Sequence, residues 1–287
     1  MMALVRRNLF IFFRDKGAVF FSLLAVFIIL GLYILFLGDM MAAGLGQLPG
    51  AKYLMDSWIM GGLLAVTPIT ASLGALGTMI NDRGKGIYKD FAVSPLKTGR
   101  LISGYLGSGI LVGLTLTVLT FLLATVYIFA RNSHLPSALM LLRALGMIVF
   151  TTITSAIPML YLISWFKSIN AFATASTVLG TLIGFLTGIY IPIGSLPGPV
   201  QTVIKLFPPS HGALVFRRIM MEEAEKLAFQ GLPPAVLTDF RLQMGLAFQV
   251  QDRVLGLEIS FLYLSTFTLL LALLTFLRFR GKSISSL

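Results

Sequence analysis

The chain alternates between long uncharged stretches and short charged ones, and the uncharged stretches come in six blocks. Residues 17–38 are 22 positions without a charge, closed by Asp39. Comparable runs cover 57–80, 101–130, 144–166, 170–190 and 259–277. A helix rises 1.5 Å per residue, so about 20 apolar residues cross a hydrocarbon layer roughly 30 Å thick. Each run is therefore predicted to be a membrane-spanning helix, and the fold class is an all-α integral membrane protein. The 101–130 run exceeds one crossing, so it should tilt or project beyond the lipid. Pro68 and Pro158 fall inside the second and fourth runs; each removes a helical donor and should bend its span.

The segments between runs have their own patterns. In residues 1–16, Leu4, Val5, Leu9, Phe12 and Phe13 recur at helical spacing, with Arg6, Arg7, Arg14 and Lys16 between them. That is an amphipathic helix suited to the headgroup plane. A secretory signal has an apolar core of only about 7–15 residues, so 17–38 reads as a retained span. Residues 39–56 read as a loop. Residues 168–204 carry no charge, yet Pro192, Gly194, Pro197 and Pro199 interrupt them. A fifth span to Tyr190 followed by a partly re-entrant apolar element near Val200–Phe207 is expected, covered by protein or a cavity. A helix capped near Ser210 should run towards Gln230. Its apolar positions Leu214, Val215, Met221, Ala224 and Leu227 alternate with Arg217, Arg218, Glu222, Glu223 and Glu225, and Gly231, Pro233 and Pro234 stop it. A second amphipathic piece covers about 235–250. The chain thus divides into an interfacial helix (1–16) and a six-span transmembrane domain (17–287) carrying a helical insert at 191–257.

Composition agrees with this picture. Hydrophobic residues make up 57% and charged ones 11%, against roughly 45–50% and about 25% in ordinary globular chains; mean hydropathy is +0.92. A net charge of +11 could suit nucleic acid, but the charges sit between spans rather than on one face, so no nucleic-acid partner is expected. Orientation explains them better. Residues 1–16, 81–100, 167 and 278–282 hold thirteen of the 22 Lys and Arg, whereas 39–56 and 131–143 hold three. Both termini should be cytoplasmic, the insert extracellular, and the protein a multi-pass component of the cell membrane.

Candidate chemistry is sparse. There are no cysteines, and His134 and His211 stand far apart without partners at metal-ligand spacing, so each reads as a loop or interfacial residue and no metal site is expected. No ionisable residue lies near the centre of a predicted span, which leaves no sign of ion coupling; Glu258, at the end of the last span, reads as solvated by headgroups. A phosphate-cradling GxxxxGK[ST] loop is absent, because Gly281-Lys282-Ser283 has Phe276 where the first glycine belongs. The chain is therefore not expected to be an enzyme or to bind a cofactor. Thr174, Thr177, Thr181, Gly184 and Gly188 step by 3 or 4 along the fifth span as one small, hydroxyl-bearing stripe. Such a stripe serves helix packing, a dimer seam or a polar-tolerant transport path. The basic island Asn81–Arg100 encloses an apolar cluster of Ile87, Tyr88, Phe91, Ala92 and Val93 before the break Ser94-Pro95. From its residues it reads equally as a loop that fixes topology or as a grip for a soluble partner.

The order of these features resembles the membrane subunit of type-2 ABC exporters. The local resemblances are KDFAVSPLKTGRLISGY (Lys89–Tyr105), similar to that family's coupling helix with its trailing Ser-Pro, and IPIGSLPGPVQTVIKLFPPSH (Ile191–His211), similar to its outer half-helices. The large insert at 210–253 resembles the drug or antibiotic-peptide branch more than the polysaccharide exporters. The resemblance implies that a second permease subunit pairs with this one and that a separate ABC ATPase binds ATP and magnesium. Lys85, Ile87, Tyr88, Lys89, Phe91, Ser94 and Pro95 would form the coupling loop, with Ile87, Tyr88 and Phe91 entering a groove of the ATPase. The expected function is ATP-driven export of lipophilic or amphipathic compounds. An ATPase-docked sensor and an exporter of lipid-linked glycans are the alternatives.

Overall fold

The computed structural model describes residues 1–46 and 48–284. Gln47, within the predicted 39–56 loop, and residues 285–287, at the end of the predicted transmembrane domain, lie outside the described residues. The chain is helical nearly throughout: α1 (Met2–Arg14), α2 (Lys16–Ala43), α3 (Ala51–Gly84), α4 (Ile87–Val93), α5 (Thr98–Asn132), α6 (Ala138–Ile163), α7 (Ile169–Leu186), α8 (Gly198–Leu206), α9 (Pro208–Ala228), α10 (Pro234–Gln243) and α11 (Leu257–Phe279). Six of these, α2, α3, α5, α6, α7 and α11, are long and apolar enough to cross a membrane, as predicted. The strands are two-residue ones, β1 (Gln249–Val250) and β2 (Arg253–Val254), paired antiparallel. Helices α1 and α4 and the end of α11 share the basic end of the bundle, and α8 to α10 lie at the far end.

Helix α3 is the axis. Its most apolar stretch is 94% buried, against 11% for α7 and 22% for α11. Its neighbours reach its backbone because it presents no side chain where they cross. A Cβ on Gly61 would lie 2.8 Å from the Arg217 backbone, and one on Gly77 would lie 2.9 Å from the Phe172 ring. In lipid, where burial of apolar surface gives little drive, such close approach is what makes helices adhere.

Several element bounds differ from those expected. The 39–56 loop shrinks to a short link, because α2 continues to Ala43 and α3 begins at Ala51. Asp39, Lys52 and Asp56, expected in that loop, sit on helix instead, and Arg131 reaches Asp39 at 2.8 Å and Asp56 at 3.4 Å. The fifth span stops at Leu186, short of Tyr190, and Gly188 follows with φ +65°. The helix after Pro208-Pro209 starts at the prolines, since Pro suits a first turn whose N–H groups are unpaired anyway; Ser210 instead donates its hydroxyl to the Ile204 and Phe207 carbonyls. That helix, α9, lies across the far half of α3, with Ala213, Phe216 and Met221 wholly buried. Beyond it, the amphipathic piece expected over 235–250 is helical only to Gln243. Gly245 (φ +70°) then turns the chain into the hairpin.

Candidate functional site: the basic end and the bundle interior

At the basic end, α1 is clamped to α3. The Asp82 carboxylate, on the last turn of α3, accepts two bonds from the Arg7 guanidinium, at 2.6 and 2.8 Å, and a third from the Tyr105 hydroxyl of α5 at 2.6 Å. Arg7 also donates to Asn8 Oδ1, and the Asn8 amide reaches Ser108 Oγ at 3.4 Å. The bidentate geometry is the strongest a carboxylate can offer Arg, and it holds the Arg7 guanidinium above its ordinary pKa. Two further arginines tie the end of α6 to this assembly. Arg83 donates to the Phe166 carbonyl at 2.6 Å and Arg278 to the Ser164 carbonyl at 3.0 Å, satisfying carbonyls that a helix end leaves without partners.

Helix α4 rests on this platform. Gly86, in the left-handed region at φ +74°, turns the chain out of α3 and lets α4 begin one residue later. Tyr88 points inward: it is buried against Tyr105, with ring centroids 6.4 Å apart, under the Arg83 guanidinium. Burial pushes its hydroxyl up to about 12. Phe91 and Ile87 are half-buried, Phe91 beneath the Arg7 guanidinium at 5.6 Å. Ser94, also half-buried, closes the helix by donating to the Phe91 carbonyl, and Pro95 is exposed. The outward face carries Lys85, Lys89, Asp90, Ala92 and Val93, the last 89% exposed. Beside it, Ala92, Leu96 and Lys97 form one wall of a groove of about 830 Å³ whose other wall is Phe279, Arg280 and Lys282. Of the apolar cluster read from the sequence, then, Tyr88 is an internal anchor and Val93 the outward apolar group.

The small-residue stripe divides. Thr174, Thr177 and Thr181 are exposed on α7, whereas Gly184 is buried beneath the Tyr190 ring and Gly188 lies past the helix end. Thr177 and Thr181 line a cavity of about 490 Å³ between α7, α2 and α3, together with Ser22, Thr70 and Ser176. Thr177 and Thr181 donate to carbonyls one turn back, so their oxygens remain available as acceptors.

Besides Asp82, three further buried groups were not recognised from the sequence. Asp56, 1% exposed, is a hub at the far end that accepts from Tyr33, at 3.0 Å, and from Asn132, at 2.8 Å, with Arg131 beside it. Arg217, fully enclosed, donates to the Gly188 carbonyl at 2.8 Å and lies 4.4 Å above the Trp58 ring. Burial lowers its pKa to about 9, so it is still a cation at neutral pH. His211, read as a loop or interfacial residue, is buried between Ser260 Oγ and the Lys205 carbonyl and joins α9 to α11. The available signal was local: Arg217 follows the apolar run Ala213–Phe216, where a solvated face would carry polar neighbours. Glu258 is exposed, as expected.

Among the described residues no group of His, Cys, Asp and Glu could hold a metal ion. Six helices long and apolar enough to cross a membrane, five of them around the buried axis α3, with a charged platform at one end, define a multi-pass membrane protein. The family described as ABC-2 family transporter protein matches residues 51–277 of the chain. The chain therefore belongs to the ABC-2 family and is a membrane permease subunit rather than a catalytic one, which implies an ABC ATPase as partner. No curated protein matches it.

Proposed function

We propose that this permease is the membrane half of an ATP-driven exporter in which α4 receives the ATPase. The reading places both termini and α4 in the cytoplasm, in keeping with thirteen of the 22 Lys and Arg lying at the basic end, and it places residues 191–257 outside. ATP and magnesium belong to the ATPase subunit. A second permease, identical or related, packs along α2 and α7, the two spans that bury least of themselves apart from α11. The hydroxyl-lined cavity beside Thr177 and Thr181 fits a path for lipophilic or amphipathic compounds, such as drugs or antibiotic peptides.

The observation that carries the proposal is the outward face of α4. An exposed apolar edge, Ala92 and Val93, beside Lys89 and Asp90 on a helix held down by Tyr88 and Phe91, supports docking into a groove of the partner, with the charges setting orientation. Val93→Asp should abolish co-purification with the co-expressed ATPase while membrane insertion and thermal stability stay at wild-type levels, because Val93 touches little of its own chain. Phe91→Asp should lower both association and stability, since Phe91 is half-buried under Arg7. Undiminished ATPase recovery with Val93→Asp sinks the assignment.

A further inference from the structure

We propose that a cleft at the far membrane interface, between α6, α9 and α11, binds an anionic membrane lipid, its headgroup on Arg218 and an acyl chain along Phe150 and Phe261. The cleft encloses about 820 Å³ and is two-faced. Its floor is the Phe150–Phe261 pair, rings 5.3 Å apart, where α6 and α11 meet. Gly146, one turn towards the mouth on α6, is exposed and has open space where a Cβ would stand. The mouth is charged, with four cations to two carboxylates.

Those carboxylates are already engaged. Glu222 accepts from Arg143 at 2.7 Å and from Lys226 at 2.8 Å, and Glu225 accepts a forked pair of bonds from Arg241, the shorter at 2.6 Å. Arg218 has no hydrogen bond or ion pair among the described residues, although it is half-buried between these groups. Desolvation, and after it the neighbouring Arg241 charge, work against its own charged form and outweigh the opposing Glu225 and Glu222 charges. An anion entering the mouth would relieve that, through the charge-assisted bonds that Arg makes best with phosphate. The apolar floor selects among anions. A soluble phosphate leaves Phe150 and Phe261 uncovered, whereas a phospholipid covers them and comes from the bilayer in which α6 and α11 stand. The inference needs only that the helices span a membrane, so it does not depend on the direction of transport or on the ATPase contact.

The test reconstitutes the full chain in phosphatidylcholine vesicles doped with a chain-photoactivatable phosphatidylglycerol, and maps the adducts by mass spectrometry. Adducts on peptides holding Phe150 and Phe261 are expected at about tenfold the level given by the matching phosphatidylcholine probe, which has the same phosphate but adds a choline cation that the net-positive mouth repels. Arg218→Gln should remove that preference while adducts at the basic end stay unchanged, and Arg218→Lys should keep most of it. Gly146→Phe, which occupies the chain slot and leaves every charge in place, should lower adduct yield from both probes. Equal labelling of wild type and Arg218→Gln overturns the proposal. So does displacement by excess glycerol 3-phosphate, since a headgroup alone would then suffice.

Discussion

The Arg7–Asp82 clamp offers the sharpest quantitative test of how the basic end is held. Its two partners are unequally buried: the Asp82 side chain is 6% exposed and that of Arg7 29%. Removing Arg7 strands an anion that has only the Tyr105 hydroxyl left, whereas removing the Asp82 charge leaves a cation that can swing into water. Breaking a buried pair costs about 3–5 kcal/mol and an exposed pair about 1 kcal/mol or less. Arg7→Ala should therefore destabilise by about 3 kcal/mol, and Asp82→Asn, which keeps a Tyr105 bond, by about 2 kcal/mol. In a protein of this size about 3 kcal/mol corresponds to a fall in Tm of roughly 6 °C. The double variant should lose little beyond Arg7→Ala, giving a coupling energy of about 2 kcal/mol. Thermal unfolding of the four proteins in one detergent reads this directly. Trypsin cleavage after Lys85 supplies a local readout, because Arg7 also covers Phe91, and both single variants should be cut faster than wild type. Additive losses within about 0.5 kcal/mol, or Asp82→Asn as the more damaging change, would refute the reasoning.

Two further outcomes test the far end. Arg217→Ala should destabilise by about 3–5 kcal/mol, since it strands the Gly188 carbonyl and leaves a void over Trp58; Arg217→Met, which refills the volume, should recover part of that in the same melting assay. Gly61→Leu should prevent recovery of folded protein by size exclusion, because its side chain would start 2.8 Å from the Arg217 backbone; an unshifted elution profile and Tm would show that α9 does not sit where described.

Much of this architecture was legible from charge-free run lengths, because the bilayer sets one scale for every crossing helix. The six spans emerged for that reason, with ends misplaced where α2 and α3 continue through charged residues and where α7 stops short at Leu186. Asp56 shows the difficulty: a carboxylate at the edge of an apolar run looks like the start of a loop, and only the convergence of Tyr33, Tyr127 and Asn132 from two other helices reveals a buried hub. The same holds for Asp82, which sits in a basic island and could be taken for one more solvated charge until Arg7, 75 residues away, reaches it. Long-range pairing of this kind leaves no periodicity. The α4 segment was legible as a unit, but not its facing: Ile87, Tyr88, Phe91 and Val93 are all apolar, and only the platform beneath decides that Tyr88 goes in and Val93 out.

Asp56 and Asp82 together explain why α3 is the axis mechanically as well as by burial. One sits near each end of that helix, and each is bonded to α5, through Asn132 and Arg131 at the far end and Tyr105 at the basic end. Close packing of Leu76 against Gly109, and the Ser72 hydroxyl on the Gly109 carbonyl at 3.3 Å, tie the two helices in between. A pair fastened at both ends and along its length can shift only as one body. Helix α7 is the opposite case. It buries little of its length, Ile183 and Gly184 being its buried residues, and otherwise meets α3 through Phe172 against Gly77 and Ile169 against Gly84. If α4 receives the ATPase as proposed, a displacement imposed there should pass into α3 and α5 together, through Gly86 and the Tyr88–Tyr105 contact. On that reading it should become relative motion where packing is thinnest, along the cavity that α7 shares with α2 and α3.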